Sequence, residues 1–524
     1  QRDIRKVITQ LCQDLSTIQY RQAILKDILD YPAIAKAFET LLPQITALNV
    51  YRNAIDRKRV ALQELAWRAS ELDYLVNSIT TLSQTFGEIG DGLKAEGLKR
   101  LREVVHMIEG DETYQKLRRE LPEILPKLRA NVSVTIGVNL DSELRPIEAV
   151  LLSVNDEAYA EAPFLERLLG RQDEWNGIAK LHKAPTDIYG GHRRPNGSFD
   201  SRGSDPMMAP LFRDLSDVMK KTIRPLEQAL KQYLNINGRF LDHLREEIGF
   251  YVAACQLHKR LVSNEIPTCI PEILPAKAGR CQIEAGHNLN LVRYMLAEYP
   301  GLSITDKIIP NDVEMGDQGR IFILTGPNQG GKTTYTQMIG LNQILAQAGL
   351  FIPAKSGSVS IVDQIYTHYP VEEQLEKETG RFGDEALRLS EIFDRATEAS
   401  LILLNESLTG TGPGEAIYLA QDIIKVFNQM GCRVVFNTHL HELARSTHAL
   451  AAEGETPIVS LVASRIEGDP EDRSYRILPG EPLGRSYARE IAARYGISYE
   501  QLIKRINERG LIHEDQKSPQ NGNI

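Results

Sequence analysis

At 524 residues the chain is too long for a single hydrophobic core, and about three domains are expected. Its composition of 42% hydrophobic, 25% charged and 6% aromatic residues is that of an ordinary globular protein, and no apolar run reaches the ~20 residues that a membrane-crossing helix needs. The net charge of −9 argues against non-specific nucleic-acid binding by the whole surface and leaves room for a local basic patch.

Cys12, Cys255, Cys269, Cys281 and Cys432 are odd in number and never in C-x-x-C spacing. They read as reduced thiols without a metal site, which points to a cytoplasmic setting. The chain begins at Gln1 with no signal-peptide pattern, as a processed or truncated protein would.

Residues 4–83 read as helix. Leu25, Ile28 and Leu29, then Ala33, Ile34, Ala37 and Phe38, recur at spacings of three and four around Pro32. Leu62, Leu65, Ala66, Ala69, Leu72, Leu75, Val76 and Ile79 form a second stripe. A helical core domain over 1–85 follows. From Leu93 to Leu128 the helix is highly charged, with Leu98, Leu101, Val104, Val105 and Ile108 spaced for one face, and its polarity predicts an exposed arm more than a buried helix.

The period then changes to two. Val132, Val134, Ile136, Val138 and Leu140 alternate with polar residues, and Ala149–Val154 is the expected partner strand across the Asp141–Pro146 turn. This small β element (132–154), a loop over 185–210 and returning helix over 211–262 with a kink at Pro225 make up an arm, 86–262. From 263 to 510 short apolar strands alternate with helices, the pattern of an α/β domain on a parallel sheet. The polar tail 511–524 is expected to be disordered.

The most specific segment is Ile321–Thr325 followed by Gly326, Pro327, Asn328, Gln329, Gly330, Gly331, Lys332, Thr333 and Thr334. An apolar β-branched strand that runs through a G-x-x-x-x-G-K-[ST] loop into a helix is a phosphate-binding loop. The glycines turn backbone N–H groups toward phosphate oxygens, and the helix N-terminus adds partial positive charge. Lys332 can reach the β- and γ-phosphates of ATP, and the Thr333 hydroxyl can hold Mg²⁺.

Downstream, Leu401–Leu404 is a second buried strand ending in Asn405 and Glu406, where such ATPases place an Asp for the metal and a Glu for the attacking water. Asn405 carries no charge, so weaker magnesium binding and slower turnover are expected. A third strand, Arg433–Phe436, ends at Asn437, Thr438 and His439, a histidine placed to contact the γ-phosphate or simply satisfied at the sheet edge.

Taken together these segments resemble the ATPase domain of the MutS family of DNA mismatch repair proteins. The resemblance rests on Gly326–Thr334, on Asn405, Glu406, Gly410 and Thr411, and on Thr438, His439, Glu442 and Leu443. Ile309–Asp312 and Gly484–Ala488 are also similar, while the helical half matches in layout only. The resemblance implies an ABC-type P-loop ATPase domain, α/β in class, preceded by an all-α core with a lever and clamp arm. It implies a homodimer with each nucleotide held between two subunits and double-stranded or branched DNA in the clamp. By position, Asn328 would contact the γ-phosphate side, Glu406 would activate water and His439 would sense the γ-phosphate. Glu373 and Gln374 align with an acidic pair supporting magnesium and water. Ile308 and Ile309 fall where the family stacks an apolar side chain on adenine.

There are three departures from the family pattern. Asn405 replaces the acid. Gly380 and Arg381 stand where the family has a trans-acting Ser-Thr before Phe382 and Glu385, so Arg381 is either an arginine finger acting across the dimer or a surface arginine in a salt bridge. The chain enters directly into the helical core, with no room for the mismatch-reading and connector domains, and only a short polar tail follows the last helix, with no nuclease domain. Phe86–Glu88 matches the mismatch-wedge tripeptide by chance and is read as structural.

His192, Arg193, Arg194, Arg202, Arg213, Lys220, Lys221 and Arg224 form the densest basic region of the arm, diluted by Asp187, Asp200, Asp205, Asp214 and Asp217. Two functions remain open: an ATPase clamp binding distorted or branched DNA by shape, or an ATP-switched dimer gripping a protein or RNA partner. A structural-maintenance type of ATPase would need far longer heptad arms.

Overall fold

The computed structural model describes residues 2–53, 61–129, 133–155, 157, 160–161, 176–177, 229–230, 233, 239–301, 303–305, 307–370, 380–452, 456–465, 473–482 and 495–509. The 185–210 loop, the basic cluster from His192 to Arg224, Pro225, Gly484–Ala488 and the 511–524 tail lie outside the described residues.

The chain divides into two compact units, 27–255 and the combination of 1–26 with 256–524.

In the first of these, α3 (Pro32–Asn53) starts with Pro32 as its first residue, where the missing N–H costs nothing. It is followed by α4 (Ala61–Ile89), α5 (Glu96–Glu109) and α6 (Glu112–Arg129). The charged stretch 93–128 is less exposed than its composition predicts. Val105 and Leu117 are fully buried, and Leu117, Leu121, Ile124 and Leu125 pack with Ala69 and Leu72 of α4 and with Leu230 and Tyr233. Charge along one face of a helix says nothing about an apolar stripe on the other. Asp27, buried, accepts hydrogen bonds from the Lys94 and Ala95 backbone N–H groups at 2.7 Å and so holds the start of α5. The strands β1 (Ser133–Leu140) and β2 (Pro146–Asn155) pair antiparallel, with Val138 opposite Ala149.

The other unit begins with α1 (Arg2–Thr9) and α2 (Leu15–Asp30) as far as Lys26, the N-cap of α2 being Asp14. The Asp14 carboxylate accepts from Ser16 and Thr17, and these bonds hold its pKa at about 2. Helix α7 (Arg239–Val262) leads back into this unit.

Two sheets follow. The smaller has the order β3 (Glu272–Leu274), β7 (Ser356–Ser360), β4 (Cys281–Gly286), β5 (Asn311–Met315), with α8 (Leu289–Glu298) inserted after β4. The larger contains β6 (Ile321–Thr325), β8 (Ile365–His368), β9 (Leu401–Asn405), β10 (Arg433–Asn437), β11 (Ile458–Arg465) and β12 (Arg473–Pro479) in the order β8-β9-β10-β6-β11-β12. Its first five strands are parallel and β12 is antiparallel at the edge.

Every residue of β6, β9 and β10 is buried, as expected for parallel strands covered on both faces. The helices that cover them are α9 (Lys332–Gln347), α10 (Arg381–Arg395), α11 (Pro413–Met430), α12 (His441–Arg445) and α13 (Thr447–Ala451); α14 (Tyr499–Glu508) is the last described element. Ile402, Leu404, Val434 and Phe436 join Ala420, Ile424 and Phe427 of α11 in one core.

Residues 1–26 belong here because α9 ends against them. Gly349 (φ +80°) is the left-handed residue of a Schellman motif, with Gly349 N–H donating to Ala346 and Leu350 N–H to Leu345. A Cβ on Gly349 would lie 2.4 Å from the Arg21 Cβ. The Gln347 side chain donates to the Cys12 carbonyl at 2.9 Å, and Gln22 donates to that of Pro271 at 2.9 Å.

Candidate nucleotide site

The C-terminal ends of β6, β9 and β10 lie side by side, and ligands of open α/β sheets collect at this edge. Gly326 has φ +136° and sits so close to β11 that a Cβ would be 2.7 Å from that of Ala463. Gln329 (φ +59°) and Gly331 (φ +91°) complete a left-handed turn into α9. No side chain caps α9, so the N–H groups of its first turn remain for a ligand.

Lys332, 4% exposed, donates from Nζ to the carbonyls of Gly326 and Pro327, each at 3.0 Å. Burial pushes its pKa down, Glu406 opposes that shift and Arg473 reinforces it. A buried ammonium held only by neutral carbonyls is stabilised when an anion comes within its reach.

An open cleft of about 490 Å³ lies over this loop, lined among others by Leu291, Ile309, Asn311, Lys332, Glu406 and Tyr475. Of the sequence-predicted residues, Asn328, Gln329, Gly331, Thr333 and Thr334 also line it. Pro327 and Gly330 close the turn through a 3.2 Å backbone hydrogen bond.

The Thr333 hydroxyl donates to Asn405 Oδ1 at 3.0 Å, which sets two hard oxygen donors together at the head of α9. Such a pair would suit magnesium, with the Thr333 hydroxyl on the ion and the Asn405 oxygen on a water bound to it. Among the described residues no group of three or more His, Cys, Asp and Glu could hold a metal by protein ligands alone.

Glu406 (φ +51°) follows β9 in the left-handed region, and its Oε1 lies 3.0 Å from His439 Nε2. Left-handed backbone is uncommon for a non-glycine residue and concentrates where geometry is functional. Of the adenine pair only Ile309 lines the cleft, because Ile308 is 2% exposed within the core. Glu373 and Gln374 lie outside the described residues, as does the side chain of Arg381, whose backbone opens α10. Phe86 is 1% exposed, as its structural reading requires.

The structure adds Tyr475 and Arg473, which the motifs did not single out, and gives partners to Asn311 and Glu385, which lie in segments already noted. Tyr475 on β12 lines the cleft with φ +54°, held there by Asn311: Asn311 Nδ2 donates to the Tyr475 carbonyl at 3.0 Å, and Ile477 N–H donates to Asn311 Oδ1 at 2.7 Å. Arg473 donates to Gln329 Oε1 at 2.8 Å and so brings a second cation to the loop. Glu385 on α10 accepts from Thr409 Oγ1 at 3.2 Å and from Gly410 N–H at 3.3 Å, tying α10 to the turn that follows Glu406. Asn311 lies in the Ile309–Asp312 segment noted for its family likeness, whereas nothing local to Arg473 or Tyr475 marks either residue.

Comparison with known proteins agrees with this geometry. A family model described as MutS domain V matches residues 322–493, and one described as the MutS2 N-terminal domain matches residues 13–264, the half whose sequence resembled the family in layout only. An "Endonuclease MutS2" of Thermomicrobium roseum is 35% identical over 412 residues, covering 73% of this chain and 49% of that protein. A "DNA mismatch repair protein MutS 1" of Haloarcula marismortui is 28% identical over 54% of this chain and 30% of its own length. A "DNA mismatch repair protein MutS" of Rhodopirellula baltica is 27% identical over 65% of this chain and 38% of its own. The chain thus spans half or less of the length of these relatives. Because the matches run through the helical half as well as the phosphate-loop half, the chain belongs to the MutS family.

Proposed function

We propose that the protein binds and hydrolyses ATP as a dimer and uses that cycle to clamp double-stranded or branched DNA by shape. The observation that carries the reading is the phosphate-loop cleft, in which Lys332, Thr333, Asn405, Glu406 and His439 converge. The phosphates of ATP sit on the N–H groups at the head of α9, and the Lys332 ammonium turns from the Gly326 and Pro327 carbonyls to their oxygens. Tyr475, Ile309 and Leu291 form the apolar wall for the base. Glu406 accepts the proton of the attacking water, and His439, 3.0 Å away, fixes that carboxylate. Thr333, with Asn405 through a bound water, would hold Mg²⁺, which would neutralise phosphate charge, and an amide in place of a carboxylate would hold it more weakly and slow turnover.

DNA as the partner rests on the chain's relatives, which are named as a DNA mismatch repair protein and an endonuclease. Arg381 is kept as a candidate finger across the dimer, with Glu373 and Gln374 as magnesium and water support.

The test is to measure ATPase rate and oligomeric state together with duplex, junction and single-stranded DNA over a salt series. A steep salt slope and DNA-dependent turnover are expected. Nucleotide binding without DNA binding even at low salt would favour a protein or RNA partner, and absence of nucleotide binding would sink the proposal.

A further inference from the structure

Asn405 and Asn437 are direct partners in the parallel register of β9 and β10, so their side chains leave the sheet edge side by side on strands about 4.8 Å apart. Asn437 is fully buried and Asn405 is 6% exposed. The Asn437 Nδ2 donates to Asn405 Oδ1, and Thr333 Oγ1 donates to the same oxygen at 3.0 Å. The Asn437 Oδ1, also buried, has no hydrogen-bond partner.

A carboxylate offers an acceptor at either end, whereas an amide has one accepting and one donating end. A freely turning Asn405 would therefore present NH₂ to Thr333 as readily as oxygen, and an NH₂ there repels a cation. We propose that Asn437 is a positioning residue of the nucleotide site: it holds the Asn405 amide with its oxygen toward Thr333, so that a neutral pair does the orienting work an acid would not need. The proposal rests on the Mg²⁺-nucleotide reading of the cleft. It also accounts for the unpartnered Asn437 oxygen, since the donor end of that amide is committed to Asn405 and the acceptor end takes the place that remains. Asn437 acts through Asn405 and touches neither phosphate nor metal.

The experiment compares wild type, Asn437→Ala, Asn405→Asp and the double variant. Two readouts are taken: binding of a fluorescent ATP analogue in EDTA, and Mn²⁺ affinity of the nucleotide complex by electron paramagnetic resonance. Asn437→Ala is expected to change nucleotide affinity in EDTA by less than about twofold and to weaken Mn²⁺ about five- to tenfold. In the Asn405→Asp background the same change should move Mn²⁺ affinity by less than about twofold, because a carboxylate needs no orienting.

Equal weakening in both backgrounds, as a merely structural role would give, overturns the proposal, and so does unchanged Mn²⁺ affinity in Asn437→Ala. If the alanine variant does not fold, Asn437→Ser, whose hydroxyl is too short to reach Asn405, is compared in the same two backgrounds with the same deciding outcomes. A wild-type protein that binds no nucleotide in EDTA or in Mg²⁺ would instead overturn the nucleotide reading itself.

Discussion

Replacing Tyr475 by glycine and by alanine separates backbone strain from ligand contact in the cleft. Tyr475 has φ +54° on the edge strand β12, is 45% exposed, and sits with its ring near the head of α9, where a Cβ on Gly331 would be 3.7 Å from its Cδ1. At an ordinary strand position glycine is about 0.5–1 kcal/mol less stable than alanine. In the left-handed region alanine carries about 1–2 kcal/mol of strain that glycine does not. The two terms leave Tyr475→Gly more stable than Tyr475→Ala by about 0.5–1 kcal/mol, a reversal of the usual order and a melting difference of roughly 1–3 °C.

Both substitutions remove the ring, so both should weaken ATP to a similar extent. Base–aromatic stacking worth about 1–3 kcal/mol corresponds to a loss of about fivefold or more. Thermal unfolding without nucleotide and titration with a fluorescent ATP analogue measure the two effects independently. Alanine more stable than glycine at 475 would refute the strain argument. Wild-type nucleotide affinity in the alanine variant would remove Tyr475 from the site.

Three further outcomes follow from the geometry. Gly349→Ala forces a left-handed alanine and a Cβ 2.4 Å from that of Arg21, so a loss of about 2–4 kcal/mol is expected; Arg21→Gly should recover part of it, and an equal cost in that background would contradict the packing argument. Lys332→Met removes a buried ammonium whose pKa burial already lowers, so the melting temperature without ligand should move by no more than about 2 °C. The stabilisation of about 2.7 kcal/mol that ATP gives wild type at a hundredfold excess over Kd should vanish in that variant, and its persistence would argue against the assigned phosphate site. His287 and His368 are buried, and burial pushes both below the ordinary 6.5, so the folded state favours their neutral form. Their contribution is complete above about pH 6.5 and is lost as pH falls toward the lower folded value, so the melting temperature should fall between pH 6.5 and 5; an unchanged slope in His287→Asn/His368→Asn would refute the assignment.

The phosphate loop, the three strands that feed the site and the β1–β2 hairpin were legible in the sequence because each rests on local signals. Four consecutive apolar residues, Ile321 to Leu324, running through Thr325 into Gly326, or strict alternation from Val132 to Leu140, state their own geometry within a few residues. The packing of α6 was less legible, since its charge hides the stripe from Leu117 to Leu125 that settles against α4. Ile308 and Ile309 could not be told apart by position, because which of two neighbours is buried and which faces a cleft is set by packing against distant segments.

By itself the sequence determined that the chain carries a nucleotide loop of MutS type with an amide where an acid is usual. Only the tertiary structure decided that residues 1–26 fold with the C-terminal half, that Tyr475 lines the cleft while Arg473 bonds Gln329 of the loop, and that Asn437 stands beside Asn405. Each depends on contact between segments far apart in the chain, and such contacts are set by strand order and register.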